Sequence, residues 1–246
     1  LGVFSQRLLP RQSGGLIPAY EFMIVNSAVR NLIRENKIHE IDLVIDRIMA
    51  APFVAEPFEH LYLEEVFTRG FYDDLIRNLD VEYKPIGEVR NVTGFPERSV
   101  HDPKNGFWSA IDKKMCDGRL KSAMGAKLRR YAPSFKDETL LIRDSTGYTI
   151  TPHTDTPKKI ATVIFYLPKD ERLKEAGTSL YKPKEDGFKC LGKVHHLTKN
   201  FDLVRTMSFV PNSMFAFLKS DISFHGVEPF LQEGFRNTLI YDVKAA

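Results

Sequence analysis

Polar and apolar residues change period partway along the chain. In the second half, β-branched and aromatic residues gather in short runs that read as strands. Lys159-Ile160-Ala161-Thr162-Val163-Ile164-Phe165-Tyr166-Leu167 is the strongest of these and reads as a central strand. Thr162, Ile164 and Tyr166 share one of its faces, Val163 and Phe165 the other. One face is expected to line a cavity, and the pattern does not decide which. Gly147–Pro152, Thr178–Tyr181, Met214–Phe217, Ser223–Val227 and Arg236–Tyr241 read as further strands. Upstream, Leu63–Phe67 and Phe71–Leu79 fit short amphipathic helices, and Arg119–Leu128 a longer one ending near Pro133. Between them, Val81–Ala110 is Pro/Gly-punctuated, reads as irregular, and is long enough to be a substrate lid. The expected class is α+β, mainly β, with helices supporting a barrel.

Chemistry is concentrated on those strands. His153-Thr154-Asp155 closes the first of them, and residues two apart on a strand point to the same side. His153 and Asp155 can therefore reach one ion if the extended conformation continues. His225 lies on a distant extended segment that a β-barrel can bring alongside. Two imidazoles and a carboxylate can hold one face of an octahedral Fe(II) and leave three positions open. Arg236 and Thr238 are again two apart, offering a guanidinium fork and a hydroxyl to a carboxylate.

Each piece has a plainer reading. With seven histidines in the chain, one His-x-Asp means little, His225 before a glycine can be a turn residue, and Arg236 can be a surface ion pair. The ordered combination on strands outweighs these. His195-His196 would point to opposite faces, which disfavours a shared metal. His60 belongs to an entry strand, and His101 precedes a turn-like Asp102-Pro103. Trp108 reads as core or as a wall of the substrate pocket.

From about Pro57 to Val243 the chain resembles the Fe(II)/2-oxoglutarate oxygenases of the prolyl-hydroxylase-like type. The resemblance rests on Gly147–Asp155, Phe165-Tyr166-Leu167-Pro168, Ala176–Tyr181, Pro211–Phe217, Phe224–Pro229 and Arg236. It implies a double-stranded β-helix, a jelly-roll or cupin-like barrel with helices packed on one side. It also implies that His153, Asp155 and His225 ligate iron, and that Arg236 binds the distal carboxylate of 2-oxoglutarate. The chemistry implied is conversion of 2-oxoglutarate and O2 to succinate and CO2, coupled to hydroxylation of an unactivated C–H bond. The set is Fe(II), 2-oxoglutarate and O2, and it allows ascorbate. Related halogenases replace the carboxylate with a small residue, so Asp155 argues for hydroxylation. Prolyl hydroxylases usually carry lysine where Arg236 stands, and often a tyrosine where this chain reads Ile142-Arg143-Asp144. Arg143 is therefore open between a contact to co-substrate or substrate and a pairing with a neighbouring carboxylate. Thr162 completes the co-substrate candidates. The substrate is expected to be a small molecule or an amino-acid or peptidyl side chain.

The opening segment, residues 1–46, resembles the C-terminal part of a bacterial type IV pilus retraction ATPase, through Ser5–Arg11 and Ala28–Glu35, the latter read as a helix capped near Asn26 or Ser27. The chain has no Gly-x-x-x-x-Gly-Lys-Ser/Thr loop, so ATP hydrolysis is not expected. The switch falls near Asp46–Pro52, with the oxygenase domain over 47–246, and the earlier residues are expected to add nothing to catalysis. The chain begins at Leu1, as a fragment or a processed product would, and the junction reads as a fused or misassembled reading frame or as a real fusion whose motor half is missing.

Composition narrows the rest. A net charge of +3 is too mild to argue for nucleic acid, and 43% hydrophobic residues suffice for a core. Lysines at 182, 184, 189 and 193 read as a solvated loop. Cys116 and Cys190 fit neither a disulfide framework nor a zinc cluster, which suits a reducing, cytoplasmic setting. No apolar run spans a bilayer and no signal-peptide pattern opens the chain, while oligomeric state is open. The rival readings are a catalytically inactive jelly-roll binding domain and a pilus-associated interaction module. A zinc hydrolase is weaker, since it leaves Arg236 and Thr238 without a role.

Overall fold

The computed structural model describes residues 2–10, 16–24, 40–90, 92–101, 106–127 and 135–245. It divides into two compact units, residues 1–39 and 40–246. In the first, β1 (Gly2–Pro10) pairs antiparallel with β2 (Leu16–Ile24), Gly2 opposite Ile24. The helix expected over 28–35 lies outside the described residues.

The second unit is built on two antiparallel sheets. The larger runs β3 (His60–Leu63), β11 (Ser213–Leu218), β8 (Lys159–Tyr166), β13 (Phe235–Lys244), β6 (Lys136–Ser145), β5 (Arg98–His101) and β4 (Lys84–Pro85). The smaller runs β10 (Phe201–Thr206), β9 (Ser179–Pro183), β12 (His225–Val227) and β7 (Ile150–His153). Together they form the mainly-β jelly roll that the family resemblance implies, on the strands that the residue pattern marks. The ladder of β9 and β10 is broken by an irregularity between Leu203 and Arg205.

Both faces of the larger sheet are buried, which is why its central strands read as continuous apolar runs rather than alternating ones. Toward the smaller sheet, Ile164, Tyr166, Phe215 and Phe217 pack with Tyr148, Leu180 and Val227. On the other face Val163, Phe165, Leu239 and Tyr241 are buried beneath helices. The α-helices of this unit are α1 (Glu40–Ala50), α2 (Arg69–Arg77), α3 (Ile86–Arg90), α4 (Gly106–Met115) and α5 (Arg119–Lys127); α3 buries none of its residues and lies by β4 and β5. Phe67, just before α2, places its ring 5.3 Å from that of Phe165.

α1 begins at Glu40, inside the stretch that the sequence assigns to the preceding segment, and runs across residue 46. It buries Ile41, Val44 and Ile48 and packs with α5. The Glu40 carboxylate accepts hydrogen bonds from Thr68 N at 3.0 Å and Thr68 Oγ1 at 2.6 Å, setting a negative charge at the N-terminus of α2.

Two local expectations fail. Leu63–Phe67 is not a helix: His60–Leu63 is an edge strand on β11, and the chain then turns at Glu65, whose φ is +52°. Val81–Ala110 is not irregular either, since it contributes β4, α3, β5 and the start of α4. Trp108 is core: it is 3% exposed and its indole N–H donates to Asn78 O at 2.6 Å. No helix among the described residues is long and apolar enough to cross a membrane.

Ile48 has no exposed surface, so Ile48→Ala should cost about 2–5 kcal/mol through lost burial and a residual cavity. A denaturant melt is expected to show a lower midpoint at unchanged slope. An unchanged midpoint would mean that α1 is not part of the folded unit.

Candidate metal centre and anion pocket

His153 and His225 face each other across the smaller sheet because β12 pairs with β7 in that register. Their rings lie 4.4 Å apart between centroids. Asp155 sits two residues beyond the end of β7, and Thr154 between them donates to Cys190 O at 2.8 Å. One ligand atom from each of His153, Asp155 and His225 falls within 4.8 Å of the others.

The imidazoles are prepared in the same way. His153 Nδ1 lies 3.0 Å from Thr151 O, and His225 Nδ1 lies 2.9 Å from Ser223 O, each carbonyl two residues back. An imidazole that donates from Nδ1 keeps the lone pair on Nε2, and His225 Nε2 is 4.0 Å from Asp155 Oδ2. Burial, aided by the neighbouring His225, pushes His153 down to about 3. Burial likewise lowers His225, against the pull of Asp155. Both rings are thus neutral and able to ligate.

Asp155 is held from behind. Lys159 Nζ bridges Asp155 Oδ1 at 3.2 Å and Asp242 Oδ2 at 3.0 Å. Thr162 Oγ1 donates to Asp242 Oδ1 at 2.8 Å and lies 3.3 Å from Asp155 Oδ2. Although burial opposes ionisation of Asp155, the ammonium of Lys159 and the two imidazoles hold its carboxyl well below the usual range.

Two glycines let other backbone approach the ligands. A Cβ on Gly226 would lie 2.3 Å from Ile150 O, and one on Gly192 would lie 2.1 Å from Asp155 O. Gly226 therefore allows the His225 segment to close on β7.

A cavity of about 100 Å³ joins these residues to a second charged group. Arg98, Asp144 and Arg236 stand directly opposite one another on three adjacent strands, β5, β6 and β13. Asp144 has no exposed surface; it receives Arg98 Nε at 2.7 Å and Nη2 at 3.0 Å, and Arg236 Nη1 at 2.9 Å. Arg236 Nε donates to Ala176 O at 2.6 Å. Arg98 also lies over the Tyr148 ring, 4.4 Å from its centroid.

Of the sequence candidates, His153, Asp155, His225, Thr162 and Arg236 all line this cavity. The cavity-lining face of β8 is the one bearing Thr162 and Ile164. Thr238 shares the inward side of β13, and its buried Oγ1 has no hydrogen-bond partner among the described residues. Arg143 lies elsewhere. One residue from Asp144 on β6, it takes the opposite face, where its guanidinium donates to Asn237 Oδ1 and Leu79 O and lies against Tyr83 and Phe235. His195 stacks on His153, with centroids 4.6 Å apart, while His196 enters an aromatic cluster with Phe201 and Phe224.

Sequence reasoning missed Arg98, Asp144, Tyr148, Lys159 and Asp242 as site residues. For Asp144 and Asp242 the signal is a charge inside a strand-like run, Leu140-Leu141-Ile142-Arg143-Asp144 and Leu239-Ile240-Tyr241-Asp242.

The donor set suits a divalent first-row ion, with two neutral imidazoles and one ionised carboxylate on one side. No family model matches the chain and no curated protein does, so the likeness of residues 1–46 to a pilus motor finds no support there. Solved structures do share the fold. HygX from Streptomyces hygroscopicus, with nickel and 2-oxoglutarate bound, matches over 76% of this chain and 83% of its own at 11% identity and a TM-score of 0.50. The non-haem alpha-ketoglutarate-dependent epimerase SnoN from nogalamycin biosynthesis matches over 88% and 84% at 10% identity and a TM-score of 0.51. A Pseudomonas putida prolyl-4-hydroxylase aligns over 82% and 97% at 16% identity and a TM-score of 0.49. At such identities the likeness is one of fold.

The depressed histidines fix a pH dependence. An unfolded histidine takes up its proton near pH 6.5, ahead of folded His153 or His225, so acidification from about 6.5 toward 3 favours the unfolded chain. The melting temperature of the metal-free protein should fall over that range, and His153→Asn should flatten the fall. An equal slope in the variant would show that His153 is not held neutral.

Proposed function

We propose that this protein is an Fe(II)- and 2-oxoglutarate-dependent oxygenase that hydroxylates a C–H bond of a small molecule or of an amino-acid or peptidyl side chain. The observation that carries the reading is the polarity of one cavity. At one end, Asp155 and Asp242 outnumber Lys159 by one charge; at the other, Arg98 and Arg236 outnumber Asp144 by one. A dication at the carboxylate end leaves that end positive. A dicarboxylate then has a cation waiting at each of its ends.

His153, Asp155 and His225 would hold the metal through both Nε2 atoms and one carboxylate oxygen. Bound there, Fe(II) would supply activation of O2 coupled to decarboxylation of 2-oxoglutarate. The carbonyls of Thr151 and Ser223 fix the tautomers of the two imidazoles, so that no proton occupies either ligating nitrogen. Lys159 and Thr162 draw the Asp155 carboxylate to one side and limit its rotation. Arg236 would take the distal carboxylate, and the unpartnered Thr238 hydroxyl gains a partner in the same event. The Tyr166 hydroxyl donates to Thr178 Oγ1 at 2.8 Å and is already satisfied within the fold.

The test is succinate formation by anaerobically purified protein given Fe(II), ascorbate and 2-oxoglutarate and then exposed to air. Slow turnover is expected, falling about a hundredfold or more in Asp155→Ala, as loss of a metal ligand does. Absence of both turnover and Fe(II)-dependent 2-oxoglutarate binding would replace this reading with an inactive binding domain.

The close approach at Gly226 gives a second test. Gly226→Ala is expected to keep the fold while lowering Co(II) affinity about tenfold or more, because the new methyl pushes the His225 segment from β7. Unchanged affinity would mean that the metal does not sit between His153 and His225.

A further inference from the structure

The arginine end of the cavity contains more donors than one arginine needs. Asp144 is fully buried and accepts from two guanidinium groups, yet it neutralises only one of them. Buried positive charge left without a counter-charge is costly, so this end of the fold is built for an anion that the chain does not supply. Among the described residues, Arg98 Nη1 and Arg236 Nη2 are not engaged in hydrogen bonds, although both side chains line the cavity.

A separate observation points to the same ligand. Tyr148 has no exposed surface, lines the cavity, and its hydroxyl has no hydrogen-bond partner among the described residues. Leaving a buried hydroxyl unsatisfied costs free energy, and the site recovers it only if an acceptor enters. The Arg98 guanidinium stacked on that ring directs the same acceptor to both groups. Burial raises the Tyr148 hydroxyl far above its ordinary range, so it remains a donor at any working pH.

We propose that Arg98 and Tyr148 join Arg236 in a carboxylate clamp, with Asp144 as its internal counter-ion. The proposal rests on the oxygenase reading and adds to it two binding residues. Asp144 fixes the separation of the two guanidinium groups, and its single charge leaves room for one carboxylate. A monoanion that chelates the metal but ends short of β13 leaves the clamp empty. A dianion of the right length fills it and satisfies Tyr148.

The experiment compares two chelators on the anaerobic Fe(II) protein. 2-Oxoglutarate offers the clamp a distal carboxylate, whereas oxalate binds a metal and has none. Binding is followed by the visible charge-transfer absorption of the complex with 2-oxoglutarate, and by displacement of that absorption with oxalate. Arg98→Gln is expected to weaken 2-oxoglutarate about tenfold or more, the size of one charge-assisted hydrogen bond, and to leave oxalate within about twofold. Tyr148→Phe removes only an unpartnered hydroxyl, so its melting temperature should hold while 2-oxoglutarate weakens about threefold or more. Equal weakening of both chelators in Arg98→Gln would make Arg98 a structural brace and overturn the proposal, as would no weakening of either. If Arg98→Gln does not fold, Tyr148→Phe decides: unchanged 2-oxoglutarate affinity there is equally fatal. Failure of the unaltered protein to bind 2-oxoglutarate with Fe(II) would instead remove the oxygenase reading beneath it.

Discussion

Charge inside a β-barrel is the constraint that the rest of this structure answers to. Six ionic side chains reach the space between the two sheets, where an unpaired charge would cost several kcal/mol, of the order of the stability of a whole domain. They survive there as two triads of opposite sign. Lys159 stands between Asp155 and Asp242, while Asp144 stands between Arg98 and Arg236. Each triad depends on ladder register: Arg98, Asp144 and Arg236 are opposite one another only in the pairing that β5, β6 and β13 adopt. A slip of one residue on β6 would replace Asp144 with Arg143 and put three guanidinium groups side by side.

That constraint also explains what the sequence revealed. The cluster of His153, Asp155 and His225 was legible because its elements are rigid rules: two residues apart on a strand, and a histidine on a partner strand. Arg236 followed from the same spacing logic. The strands β8, β11 and β13 announced themselves by β-branched and aromatic content, and the helices expected over 71–79 and 119–128 formed close to their expected limits.

What stayed hidden was parity. Arg143 and Asp144 are adjacent charges on one strand, and only the three-dimensional closure of the barrel decides that Asp144 looks inward. The same ambiguity left the inward face of β8 undecided until Thr162 and Ile164 were seen to line the cavity. Arg98 was hidden for another reason. Its strand is four residues long within a stretch rich in turn-formers, and it becomes a strand only because β6 offers it an edge. Leu63–Phe67 failed in the opposite direction: local helical periodicity lost to pairing with β11 and to the turn at Glu65.

The interrupted ladder between β9 and β10 reaches beyond the site. β10 lies at the margin of the smaller sheet and exposes Leu203 and Val204, about half of each side chain open to solvent. Apolar residues on an open strand edge would normally invite another chain to add itself there. The irregularity at Leu203–Arg205 twists the hydrogen-bonding row out of line, and the charged Asp202 and Arg205 flank it. At the far margin of the larger sheet, β4 is two residues long and ends in Pro85, which has no N–H to offer. These two margins, β10 and β4, thus discourage another strand from adding itself there.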